Sequence, residues 1–111
     1  RLSAYVDIGR IVNMSLARQQ IEGGLMFGLA HAVGGASGYA KGRPSAGRLS
    51  QLGLPLLADC PKVDIAFADS NEDPFDPGEL GMVAVAPAIA NALFSATGVR
   101  FRRLPLISEG L

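Results

Sequence analysis

One cysteine, one histidine and no tryptophan stand among the 111 residues, and ten Lys and Arg balance ten Asp and Glu, only 18% of the chain. Each shortage removes a class of function. The lone Cys60 excludes an internal disulfide framework and an all-cysteine metal site. The lone His31 has no second ligand at metal spacing and reads as a packed or surface side chain. Zero net charge with scattered basic residues argues against a nucleic-acid partner or an anionic membrane surface, both of which need clustered Lys and Arg. Long hydrophobic runs are missing too. None approaches the ~20 residues of a spanning helix. Met82 to Phe94 is broken by Pro87 and Asn91 and reads as core, so no membrane span is expected.

What the chain has in excess is apolar residues, 49% of the total. A globule of this length forms one domain and buries about two-thirds of its unfolded surface, which leaves much surface to cover with polar groups. The chain opens at Arg1 with neither an initiator Met nor a signal-peptide pattern. The expectation is a segment of a larger protein.

Leu2 to Ile8 is rich in β-favouring residues and predicts a strand ended by Gly9. Asn13 is placed to cap a helix over Met14 to Val33, stopped by Gly34-Gly35. Gly23, Gly24 and Gly28 give that helix a small-residue face. Each glycine costs roughly 1 kcal/mol relative to alanine, so another backbone or a ligand should approach closely there. Gly34 to Leu52 reads as a surface connection with room for a short hairpin. Lys62 to Asp69 alternates, with Val63, Ile65 and Phe67 on one face, and is the clearest strand. A loop from Ser70 to Glu79 follows. Pro87 fits the first turn of a second helix that reaches Thr97, stops at Gly98 and, being apolar nearly all round, should be buried. Val99 to Leu106 reads as a closing strand with Arg100, Arg102 and Arg103 on its edge. The class is α+β, a small mixed sheet with two packed helices.

Two places could carry chemistry. In Gly78-Glu79-Leu80-Gly81 a carboxylate flanked by glycines can sit on a tight turn and point into a cavity, where desolvation makes a carboxylate a stronger base. Against this, Glu72, Asp73, Asp76 and Glu79 lie together, and acidic runs normally face water. In Gln20-Ile21-Glu22-Gly23-Gly24 an amide beside a glycine face offers a ligand both a donor and an acceptor. Helix packing alone also accounts for that pattern. Gly34 to Gly38 is glycine-rich but follows a helix, the wrong context for a phosphate loop.

The same residues, with Val6 to Asn13, Leu54-Pro55, Ala86 to Phe94 and Arg103-Leu104-Pro105, resemble the C-terminal part of a molybdopterin-binding subunit. The family is that of xanthine dehydrogenase, aldehyde oxidoreductase and isoquinoline 1-oxidoreductase, the molybdenum hydroxylases. The likeness covers nearly all of the chain except about Ser37 to Gln51. It implies that Glu79 is the active-site base, taking a proton as water-derived oxygen is delivered to an aldehyde or N-heteroaromatic carbon. It implies that Gln20, followed by Gly23 and Gly24, helps hold molybdopterin cytosine dinucleotide with its molybdenum. None of the chain's own residues is expected to bind the metal. The implied partners are the remainder of the molybdenum subunit, an iron–sulfur subunit and a flavin or haem subunit. Phe75-Asp76-Pro77 stands where such proteins carry a glycine pair and a small residue, which stiffens the loop before Glu79. Residues 1–111 are thus expected to be one fragment of the cofactor-binding domain, inactive by itself and sticky through its apolar faces. The compartment stays open between cytoplasm and periplasm. The rival reading is a non-catalytic structural or interaction module of a larger complex.

Overall fold

The computed structural model describes residues 1–106 of the expected 1–111 unit. Strand β1 (Leu2–Val6) leads through a short turn into helix α1 (Met14–Val33). Asn13 has extended backbone, and its side-chain oxygen accepts the Leu16 amide at 3.0 Å, satisfying one of the orphan donors of the first turn. The buried side of α1 is Ala17, Ile21, Leu25, Gly28 and Ala32, a run of three- and four-residue steps that makes one stripe. Gly34 ends the helix, its amide donating to the Ala30 carbonyl at 3.0 Å.

The connection after α1 carries a hairpin, β2 (Tyr39–Ala40) and β3 (Arg43–Pro44), turned by Lys41 and Gly42, both at positive φ. Strand β4 (Val63–Phe67) then pairs parallel with β1, with Leu2 opposite Val63, Ala4 opposite Ile65 and Val6 opposite Phe67. The expected alternation holds. Val63, Ile65 and Phe67 pack with Ala4 against a core of Val6, Ile8, Ala17, Ile21, Leu25 and Val85, in which Ile21 is fully buried. The strands form this parallel pair and the separate antiparallel hairpin, with two packed helices, in keeping with the α+β class.

The second helical region is α2 (Leu80–Val83) and α3 (Val85–Thr97), joined at Ala84. Pro87 lies in the first turn of α3, where a missing N–H breaks no intrahelical bond. Contrary to expectation, α3 is not buried: Val85 alone is, while Phe94 is 40% exposed. Nothing in the described residues forms a second layer over it. Leu80–Thr97, 18 residues of mean hydropathy 1.6, is long and apolar enough by length and composition to cross a membrane. It is not one rod, however. The break at Ala84 leaves a 13-residue helix of about 20 Å, short of the ~30 Å hydrocarbon core.

The closing strand expected over Val99 to Leu106 is also absent. Apolar side chains fall at 99, 101, 104 and 106, which is not strand alternation, and no strand of the described residues pairs with this segment. Phe101 and Leu106 turn inward onto Ala32. Arg100 is no strand-edge charge: its guanidinium carbon lies 3.8 Å from the Phe94 ring centroid, and it donates to Asn91 Oδ1 at 2.6 Å.

The chain exposes 7899 Å², against about 5,800 Å² for a self-contained globule of its mass. Its radius of gyration of 16.3 Å likewise exceeds the ~13 Å of a compact domain of this length.

Candidate functional site

The site begins with how closely α1 and α2 approach. A Cβ built on Gly81 would come within 2.5 Å of the Ile21 carbonyl oxygen and 3.1 Å of the Leu25 nitrogen. One on Gly24 would meet the Gly81 Cα at 3.0 Å, and one on Gly28 the Met82 carbonyl oxygen at 2.7 Å. Backbone lies against backbone, and only glycine permits it. The close partner expected along the glycine face is therefore α2 at Gly24 and Gly28. At Gly23 there is nothing within 4 Å.

This seam fixes the turn that carries Glu79, immediately before α2. Gly78 has φ +36°, in the left-handed region, and its amide donates to Asp76 Oδ1 at 2.9 Å. The Leu80 amide donates to the Pro77 carbonyl at 2.7 Å and the Met82 amide to the Glu79 carbonyl at 2.9 Å. Upstream, the loop is bonded to the segment after β1, the Phe75 amide to the Ile8 carbonyl and the Arg10 amide to the Glu72 carbonyl, both at 2.9 Å. Gly9, at φ +68°, makes room for the backbone of Asp73. From α1, Gln20 Nε2 donates to the Gly78 carbonyl at 2.8 Å.

Gln20, Gly23, Gly24, Gly78 and Glu79 consequently line one recess of about 240 Å³, together with Phe27 and Met82. All four residues singled out from the sequence meet there. A larger open hollow of about 750 Å³ shares Gln20 and Gly78 with it and extends past Arg10 and Asn13. Sequence reasoning placed no candidate in that hollow except Gln20. It read Asp76 only as part of an acidic run and of a stiff loop, although an Asp two residues before a glycine is a turn signal.

Glu79 is exposed, and its side chain makes no hydrogen bond or ion pair among the described residues. The described residues form no desolvated cavity around it, and Glu79 stands in solvent, as an acidic run normally does. Among the described residues no three His, Cys, Asp or Glu side chains are grouped to hold a metal ion. His31 is a surface residue, edge-on to Phe27 with ring centroids 4.9 Å apart. The arrangement is a carboxylate on a pinned turn, an amide beside it, and bare helix backbone opposite.

Residues 1–61 match the family described as the molybdopterin cofactor-binding domain. Over 106 residues the chain is 37% identical to the membrane-bound aldehyde dehydrogenase (pyrroloquinoline-quinone) of Gluconacetobacter polyoxogenes, covering 96% of this chain and 14% of that protein. It is 34% identical to the aldehyde oxidoreductase molybdenum-binding subunit PaoC of Escherichia coli (strain K12), covering 100% of this chain and 16% of that subunit. The solved structure of reconstituted CO dehydrogenase from Oligotropha carboxidovorans shares the fold, with a TM-score of 0.79 at 21% identity over 94% of this chain and 14% of that one. With the motifs around Gln20 and Glu79 gathered in one recess and the first half of the chain matched, the chain belongs to the molybdopterin cofactor-binding domain family.

Proposed function

We propose that the chain is the part of a molybdenum hydroxylase subunit that supplies the general base, Glu79, and one wall of the cofactor pocket. The observation that carries this reading is the meeting of Glu79, Gln20 and the bare backbone of Gly23 in one recess. The overall reaction takes an aldehyde or N-heteroaromatic C–H and water to a C–OH, releasing two electrons and two protons. Molybdopterin with its molybdenum, here as the cytosine dinucleotide, accepts the electron pair when bound. Electrons leave through the iron–sulfur and flavin or haem partners.

The residues fit an edge of such a cofactor. A 240 Å³ recess is smaller than the roughly 300–1,000 Å³ of an ordinary ligand pocket, so the chain offers one wall. Gln20 keeps an amide oxygen with no partner among the described residues, since its Nε2 is given to Gly78. Gly23 leaves room where any side chain would stand. The Glu79 carboxylate takes the proton from the oxygen donor, and the pinned turn holds it in place while it does so. Closure of the recess by the remainder of the subunit excludes water and strengthens the base. The fragment alone retains no cofactor and turns nothing over.

In the full-length subunit, Glu79→Gln should lower turnover by about 10²–10⁴-fold with molybdenum content unchanged. Near-normal turnover would leave the interaction-module reading standing. The pyrroloquinoline quinone in one relative's name supplies the second arm. Active enzyme holding stoichiometric quinone and no molybdenum would overturn the cofactor assignment.

A further inference from the structure

The parallel pair β1–β4 is an unfinished sheet. Two strands make a marginal sheet, and parallel sheets are normally covered on both faces. Here one face carries α1, while Tyr5, on the other face, is 76% exposed. The ladder shows which main-chain groups are left over. The Leu2 amide donates to the Lys62 carbonyl, and the Val6 carbonyl accepts the Ala68 amide. With the two-residue period of a strand, Leu2, Ala4 and Val6 turn their N–H and C=O groups toward β4. Those of Ser3 and Tyr5 point away from it, to the open edge.

The two edges are treated differently. On the β4 side, Arg18 Nη1 donates to the Ile65 carbonyl at 3.0 Å, with the guanidinium carbon 5.8 Å from the Phe67 ring centroid. A capped carbonyl under a charged side chain blunts that edge. On the β1 side, among the described residues, no side chain is bonded to the main chain of Ser3 or Tyr5. The edge there borders an apolar groove of about 370 Å³, lined by β1, by Ile21 and Leu25 of α1, and by Val83 to Val85 and Ala88. Main-chain donors and acceptors along an apolar trough specify an extended segment, apolar at every second residue to meet the exposed side chains of Leu80 and Val83.

We infer that β1 is an interior strand of a larger sheet, and that the groove beside it receives an extended segment of the same subunit from outside these 111 residues. The chain spans only 14–16% of the two curated relatives described above, and a subunit of their length has ample chain for such a segment. It also exposes 7899 Å², about a third more than a free-standing globule of its mass would. The inference rests on the reading of the chain as one part of a longer subunit.

Residue-resolved hydrogen exchange on the wild-type full-length subunit, purified as a monomer, tests it. The Ser3 and Tyr5 amides should exchange at least 10³-fold slower than unstructured amides, within tenfold of Ala4 and Val6. Exchange of Ser3 and Tyr5 near the unstructured rate would overturn the inference. So would protection that appears only in a dimer or with another subunit bound, since the occupant would then be a different chain. Loss of turnover in Glu79→Gln reports on the catalytic reading separately, and either result can fail without the other.

Discussion

Gly23 and Gly24 are neighbours on one helix, yet they belong to regions with opposite physics. Gly24 lies in the seam, where α2 comes so close that its would-be Cβ sits 3.0 Å from the Gly81 Cα. Gly23 faces the recess, where nothing lies within 4 Å. At Gly24 the loss of helix propensity is offset by backbone packing. At Gly23 nothing among the described residues offsets the roughly 1 kcal/mol that glycine costs relative to alanine. The Gly23-Gly24 pair thus contains two devices. One positions the Glu79 turn against the fold, and the other keeps space clear beside it.

Filling the seam should break the comparison most severely. Gly81→Ala puts a methyl 2.5 Å from the Ile21 carbonyl oxygen, so two backbones must part. Overpacking of that kind costs about 1–3 kcal/mol, and it moves the turn that bears Glu79. In the full-length subunit the expected outcome is a lower melting temperature and a fall in turnover per molybdenum. Unchanged melting and unchanged turnover would show that the seam is looser than the contacts imply.

Gln20 stands between the two regions and should give the intermediate effect. Its bond to the Gly78 carbonyl is exposed, and a net hydrogen bond of this sort contributes about 0.5–1.5 kcal/mol. Gln20→Ala should therefore leave the melting temperature almost unchanged. Molybdenum occupancy and turnover per molybdenum should both fall severalfold, because the amide anchors the turn and, in the proposed function, forms part of the cofactor wall. Metal analysis beside steady-state kinetics separates the two effects. Lowered turnover at full occupancy would reduce Gln20 to an anchor of the turn.

The difference between the regions also marks what the residues alone could disclose. The bounds of α1 were legible because Asn13 and Gly34 act through bonds a few residues away. β4 was legible because Val63, Ile65 and Phe67 alternate. The stretch from Val99 to Leu106 was misread because a strand exists only with a partner, and pairing is not local. The exposure of α3 was hidden for a related reason: composition says that an apolar helix needs cover, not which chain provides it. Gln20 and Gly78 are separated by 58 positions, so only the family resemblance linked them in advance. Which glycine meets backbone and which meets open space required the packed helices themselves.

Gly23→Ala is the sharpest test because its expected effect on the fold is the smallest and has the opposite sign. Beyond its own stretch of helix, its new methyl meets no described atom within 4 Å, and alanine is the better helix former by about 1 kcal/mol. Cofactor-free full-length subunit carrying Gly23→Ala should melt at the wild-type temperature or slightly above it. The holo-subunit should lose cofactor faster on dilution, read as molybdenum retained after gel filtration, because the methyl occupies space that the proposed function gives to the cofactor. Gly81→Ala would lower the melting temperature of both forms, whereas Gly23→Ala would weaken only retention. If Gly23→Ala retains molybdenum as the wild type does, the open space beside Gly23 is not the cofactor wall. The recess would then serve the turn of Glu79 alone.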